Sequence, residues 1–490
     1  MAAPLLVYYL VVRDRTGPEG GGAAAVRSIA VLPFADMSPG KDQEYFADGI
    51  AEEILDALVH VDGLRVSGRT SSFSFKNKAA TIAQIGRELN VATVLEGSVR
   101  KDGNRVRITA QLVDVGRGDH VWSHTYDREL TGIFAVQEEI ARSVVAALRV
   151  KIMPEAGSGM TRQRTTNPEA YSAYLLGRHF FDRGTPDGMG QAVAALEKAI
   201  ALDPGYAPAW AWLSVAILNS GVYFSQGASP AAIDQAAQRA MAAAEKAVTL
   251  APNLADCWSA RAWMRISISW DWDGAGADLQ RALALNPRDP NILLRQSHLQ
   301  ALIGKLPDAI ATARKVVDID PLYAWAWVFL AGFENGNARP ALTLAAATRA
   351  LEIAPEHTYA NSYMATAQLL SKMPAEALAT YQRNRSEVIR LAGSAAAQHD
   401  LGNLEEGQKA LDLLRARSGD SELYLIGRIH AWRGDRDAAF EWLDRAVVQH
   451  GGGGVSRMAI RGIRYDPLLW KVHDDPRYAA LLRRMNLPVE

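Results

Sequence analysis

Apolar positions along this chain keep two different periods. From about residue 27 to 152 they fall in short runs and alternations, the marks of strands with a few helices between them. From about residue 167 onward they recur at helical spacing inside a unit that repeats. In the first stretch, residues 28–34 (Ser-Ile-Ala-Val-Leu-Pro-Phe) form a continuous apolar run that predicts a buried strand. Phe46, Ile50, Ile54, Leu55 and Leu58 share one face of a helix predicted over 45–59. Residues 64–67 predict a second strand and 81–89 a short helix. Residues 92–100 and 105–114 flank Lys101-Asp102-Gly103-Asn104, a hairpin with Asp-Gly at its turn. Val106, Ile108, Ala110 and Leu112 alternate with Arg107, Thr109, Gln111 and Val113, so this sheet is expected to be wet on one face. Residues 120–126 alternate again, and 133–150 read as an amphipathic helix. Together they predict a small α/β sandwich.

The second stretch carries a recurring phrase. Pro204, Pro252, Pro287, Pro321 and Pro355 are spaced by 48, 35, 34 and 34 residues. They close Ala-Ile-Ala-Leu-Asp-Pro, Ala-Val-Thr-Leu-Ala-Pro, Ala-Leu-Ala-Leu-Asn-Pro, Val-Val-Asp-Ile-Asp-Pro and Ala-Leu-Glu-Ile-Ala-Pro. Proline has no N–H to continue a helix, so each phrase ends one. A small or β-branched residue sits five places earlier (Ala199, Ala247, Ala282, Val316, Ala350), where helices must approach closely. Six places after the proline comes a large residue (Trp210, Trp258, Leu293, Trp327), replaced by Asn361 in the fifth unit. This matches the tetratricopeptide repeat, a pair of antiparallel helices that must stack on its neighbours to bury its apolar face. One more unit opens at Asn167-Pro168-Glu169, and the 48-residue step places an inserted loop at 222–230. Residues 402–414 and 421–448 read as degenerate pairs, and 465–488 as a polar-faced helix capping the array.

The first stretch also resembles a known family. Ile-Ala-Val-Leu-Pro-Phe (29–34), Tyr-Phe-Ala-Asp-Gly-Ile-Ala-Glu-Glu-Ile (45–54), Val-Ser-Gly-Arg-Thr-Ser-Ser-Phe (66–73), Val-Leu-Glu-Gly-Ser-Val-Arg (94–100) and Trp-Ser-His-Thr-Tyr-Asp-Arg (122–128) are similar to the TolB amino-terminal-like domain. The resemblance implies a bacterial protein in which such a domain stands between a membrane helix and tetratricopeptide repeats. A class III nucleotide cyclase or winged-helix DNA-binding domain often precedes it. It supplies no catalytic residue. The expected organisation is an apolar stub and Gly-rich linker (1–26), a TolB-like α/β domain (27–152), a linker (153–166) and an all-α tetratricopeptide solenoid with its cap (167–490).

Composition narrows function by exclusion. The 490 residues hold 53 basic and 54 acidic side chains, a net charge of −1, so no global field draws in nucleic acid or anionic lipid. Cys257 is the sole cysteine, which excludes an intrachain disulfide. The apolar residues 4–12 are too few to span a bilayer, which needs roughly 20. They read either as a frayed terminus or as the tail of a truncated membrane helix. On the second reading the protein is anchored to the inner membrane of the cell envelope with its body periplasmic; without an upstream membrane helix it is cytoplasmic. Phosphate-loop, zinc-protease, dinucleotide and nucleophile-elbow motifs are missing from the sequence. Asp48 and Glu52, at i and i+4 with Glu53 beside them, are expected on a solvated helix face. His120 and His124, also i and i+4 but on a strand, stand about 13 Å apart and cannot share one metal ion. No catalytic residue, cofactor, metal or small-molecule substrate is assigned.

What remains is binding. The first helix of each repeat should line a concave trough with Asp256, Ser259 and Trp263; Asn291, Leu294 and His298; Trp325 and Val328; and Tyr359, Ser362 and Thr366. Trp263, Asn291, His298, Trp325 and Tyr359 are the partner-binding candidates, because aromatics supply area and amides hold a peptide backbone. Lysine and arginine are missing from these positions, which argues against a clamp for chaperone carboxyl termini. The expected function is a non-catalytic scaffold binding a protein or peptide; the alternative is the regulatory half of a cyclase or winged-helix signalling protein.

Overall fold

In the computed structural model the described residues are 27–61, 63–148, 165–223, 229–418, 421–450 and 454–489. The stub at 4–12, most of the expected linker at 153–166 and the middle of the insertion at 222–230 lie outside them. The first part is one mixed sheet of six strands in the order β3-β1-β4-β5-β6, with β2 also on β4. Its strands are β1 (Ser28–Val31), β2 (Ala35–Asp36), β3 (Arg65–Val66), β4 (Thr93–Asp102), β5 (Arg105–Asp114) and β6 (His120–Glu129). β1 runs parallel to β3 and β4, while β4, β5 and β6 are antiparallel.

The continuous apolar run has a plain cause. Ile29 and Val31 pack under helices α1 (Glu44–Val59) and α4 (Ile133–Ala147), whereas Ala30 and Leu32 point to the other face, against Ile85 and Leu89. That second face is covered by α3 (Ile82–Glu88), so β1 is buried on both sides. β5 alternates as expected through Leu112, with Val106, Ile108, Ala110 and Leu112 buried, but Val113, expected on the wet face, is buried too, at a register shift against β6. Asp102 still pairs with Arg105, so the hairpin turn is Gly103-Asn104, with Gly103 at φ +57°. A short helix that the pattern does not announce, α2 (Arg69–Phe73), follows β3.

Eight helical hairpins follow among the described residues. They are α5/α6 (Pro168–Asp182, Pro186–Leu202), α7/α8 (Ala207–Leu218, Pro230–Leu250), α9/α10 (Ala255–Met264, Trp272–Leu285) and α11/α12 (Pro290–Leu302, Leu306–Ile319). Then come α13/α14 (Ala324–Gly336, Pro340–Ile353), α15/α16 (Thr358–Leu370, Pro374–Gln382), α17/α18 (Glu387–Asp400, Leu404–Ser418) and α19/α20 (Leu423–Arg433, Arg436–Val448). The residues five before each motif proline are completely buried, as close packing requires. Residues 404–414 lie in the second helix of a hairpin that starts at Glu387 and are not a degenerate pair of their own. Helices α7 and α9 each run on into a π-helical turn, Asn219–Tyr223 and Arg265–Ser269.

The chain after α20 is not a single helix. It forms α21 (Gly454–Ala459), two 3₁₀ turns (Ile460–Tyr465, Pro467–Val472) and α22 (Pro476–Arg484). This segment covers the last hairpin and also returns to earlier ones. Trp272 Nε1 donates to the Met485 carbonyl at 2.7 Å, and Trp272 and Leu279 share a core with Leu481 and Met485. Tyr465 presses on α13 so closely that a Cβ on Gly336 would lie 2.6 Å from the Tyr465 carbonyl oxygen.

The α/β unit is seated on the array, which overturns the expectation of a solvated Asp48–Glu52 face. Glu52 is 6% exposed. It pairs with Arg69 at 2.9 Å and with Arg178 of α5, and Arg69 reaches Asp182 at 2.7 Å. Asp48 pairs with Lys76. Farther along, Ser71 N–H donates to Asp320 at 2.7 Å, and Ser71 Oγ both donates to Asp320 and accepts from Leu322 N–H at 2.7 Å. Gly68 N–H donates to the Ile319 carbonyl, and a side chain at Gly68 would collide with Asp320. Glu52 thus marks a docking face, while Asp48 is paired within the α/β unit, and only the tertiary arrangement distinguishes either from a wet position.

Candidate functional site

The expected trough is partly closed over. The α/β unit closes one side and the segment after α20 another, leaving a cavity of about 1600 Å³. All five candidates, Trp263, Asn291, His298, Trp325 and Tyr359, line it. They reach it because the first helices α9, α11, α13 and α15 face inward, and residues three or four apart on a helix share a face.

Four of the five lie in one aromatic row. Ring centroids run from Trp263 to His298 at 5.7 Å, to Phe329 at 4.8 Å, to Trp325 at 6.2 Å and to Tyr359 at 5.7 Å. Trp325 is 39% exposed, whereas His298 is buried. Asn291 stands apart: its Oδ1 accepts from Tyr323 Oη at 3.0 Å. Tyr359 Oη donates to Met458 Sδ at 3.2 Å, which ties the row to the returning segment. Phe329 completes the row and escaped the position count, although it sits four residues after Trp325 on the same face. Arg461, Met458 and Tyr465 escaped it for another reason: they come from beyond the repeats.

Arginine enters the cavity from positions other than those counted. Arg295 and Arg461 lie on the ring of Trp263, with guanidinium carbons 5.7 and 5.3 Å from its centroid. Arg295 Nη1 donates to Ser259 Oγ at 2.7 Å; Arg461 Nη1 donates to Ser267 Oγ at 3.0 Å. Arg461 also lies 5.7 Å from the Tyr223 ring centroid. Burial, and after it the charge of Arg461, holds His298 well below its ordinary pKa, so the ring is neutral and its Nδ1 has no protein partner. Burial brings His357, against Trp325 at 4.6 Å, down to about 4. At the other end Asp289 is pushed up to about 6 by burial and then by Asp256. Among the described residues no group of His, Cys, Asp and Glu could hold a metal ion, and no helix is long and apolar enough to cross a membrane.

No protein-family model matches the chain. A curated protein of Rhizobium meliloti (strain 1021), described as putative adenylate cyclase 3, is 40% identical over 238 residues, covering 49% of this chain and 40% of that protein. The match therefore spans well under half of that relative. A thermophilic tetratricopeptide protein of Thermus thermophilus aligns with 41% of this chain over 99% of its own, at 19% identity and a TM-score of 0.34. A tetratricopeptide protein of Parabacteroides merdae ATCC 43184 aligns with 54% of this chain over 98% of its own, at 13% identity and a TM-score of 0.39. At such scores the hairpin spacing and the recurring proline, read from this chain itself, carry the description of the array.

Proposed function

We propose that this chain is a non-catalytic interaction scaffold, a TolB-like α/β unit fused to tetratricopeptide hairpins whose inner face captures a protein or peptide. The observation that carries the reading is the aromatic row across α9, α11, α13 and α15, with Trp325 still exposed within it. Rigid aromatic faces bind chain segments at low entropic cost. The proposed setting is the cell envelope, through the apolar residues 4–12. The test is a pull-down from cell envelopes with the full chain as bait. A prey that Trp325→Ala no longer retains, with unchanged far-ultraviolet circular dichroism, supports the reading. Prey equally retained by the variant, or nucleotide turnover by the purified chain, overturns it.

A second reading has a specific observation in its favour. The 40% identity to a protein described as a putative adenylate cyclase fits a regulatory portion of a larger signalling protein. Sequencing the DNA before the Met1 codon separates the two: an in-frame cyclase or winged-helix segment supports regulation, and a stop codon removes it.

A further inference from the structure

We propose that the corner of the cavity around Arg461 is a binding site for a small organic oxyanion, a carboxylate or phosphate carried on an aromatic body. This stands apart from partner capture and would hold whether or not the aromatic row receives a peptide.

Arg461 is 3% exposed. A buried cation is ordinarily matched by a carboxylate, since desolvating it unpaired is costly. Among the described residues no carboxylate lies within ion-pair distance of Arg461. It is positioned by two neutral acceptors: Nη1 donates to Ser267 Oγ at 3.0 Å and Nε to the Met458 carbonyl at 3.4 Å. A guanidinium has five N–H donors in a planar fork suited to an oxyanion. Arg457 lies within electrostatic reach of both Arg461 and Tyr223, with the Asp234 carboxylate in reach of it as well.

The surroundings point the same way. Tyr223 Oη and His298 Nδ1 are buried and have no hydrogen-bond partner, though nearly all such groups in folded proteins find one. Each can donate to a ligand. Tyr223 and Ser267 both belong to π-helical turns, Asn219–Tyr223 and Arg265–Ser269, in adjacent hairpins. Such turns are rare and concentrate at functional sites; here two of them converge on one arginine. The faces of Trp263 and Tyr223 supply stacking area for a flat body. Arg461 lies too deep for a folded partner to reach, and the cavity exceeds the roughly 300–1,000 Å³ of a small-ligand pocket, so the ligand fills this corner alone.

The test uses the full chain, calorimetry and thermal melting, with phenyl phosphate and benzoate as probes and inorganic phosphate as control. The expected result is saturable binding of at least one aromatic probe, weakened at least about tenfold in Arg461→Met and several-fold in Tyr223→Phe. Ligand-free Arg461→Met should melt at or above the wild-type temperature, because an uncompensated buried charge has been removed. Binding unchanged in both variants overturns the site, as does no saturable binding of either probe. Inorganic phosphate bound as tightly as the aromatic probes means an adventitious ion only, and also overturns it. A ligand-free Arg461→Met that melts well below wild type makes the arginine structural and ends the proposal.

Discussion

The tryptophans that follow the motif prolines have a polar task as well as an apolar one. Trp210, Trp258 and Trp327 each stand six residues after a motif proline, and each donates its indole N–H to that proline's carbonyl, at 3.0, 2.8 and 2.9 Å. The carbonyl follows a helix end, where backbone acceptors lack intrahelical partners. Leu293 and Asn361 occupy the same place in the other two units and have no indole to make such a bond. Trp258→Phe should therefore cost about 1 kcal/mol for the lost hydrogen bond, read by urea denaturation, with a smaller loss for Leu293→Phe. The large residue was evident from the periodicity. Its hydrogen bond was not, because a pattern of apolar positions carries no record of where an indole N–H points.

Glu422 supplies a pH prediction at the same scale. It accepts from Ser456 N–H at 2.8 Å and Val455 N–H at 3.3 Å, fastening α21 to the start of α19. Burial pushes its carboxyl up to about 7, against an ordinary value of 4.5. Between those two values the folded state binds more protons than the unfolded state, so Glu422 costs stability as pH rises from about 4.5 to about 7. The change is at most on the order of 3 kcal/mol. Glu422→Gln should flatten that part of the stability curve relative to wild type; parallel curves would show that Glu422 does not titrate there.

At the scale of elements, the junction between α1, α2 and the array decides how the two parts move. Glu52 pairs with both Arg69 and Arg178 in a buried cluster, Asp182 supplying the second negative charge, with Arg178 also 4.3 Å from the Trp212 ring centroid. Removing one partner of a buried ion pair leaves the other charge uncompensated, at about 3–5 kcal/mol. Glu52→Ala should undock the α/β unit and speed hydrogen exchange in α2 and in the 319–322 loop, while β4 and β5 stay protected. A uniform loss of protection would instead show that the unit and array unfold together. The short helix α2 was invisible in the sequence because Arg69 to Phe73 shows no apolar face; its Ser71 amide is held by Asp320, 249 residues away.

For the whole molecule, the question is who occupies the inner face. The α/β unit and the segment after α20 both take part of it, which makes an extended trough into a cavity of about 1600 Å³. Trp325→Ala removes an exposed ring from the row and should leave helical content unchanged while weakening partner capture several-fold. Asn291→Ala should do less, since Asn291 already satisfies Tyr323. Unfolding of both variants would make these residues core. The candidates line one cavity because consecutive first helices face the same way; its partial closure was not foreseen, since repeats describe only contacts between neighbours.

Local rules, acting over a few dozen residues, decided much from the sequence alone. A helix ends where proline removes an N–H, a strand alternates where one face is wet, and a period near 34 stacks hairpins. Three matters waited for the tertiary structure: Glu52 facing Arg178, Asp320 receiving Ser71, and Arg461 arriving beside Trp263. Each joins residues 126 to 249 positions apart. Such contacts follow from how the α/β unit and the segment after α20 are carried back onto the hairpins, a geometric sum that no local pattern of polar and apolar residues contains.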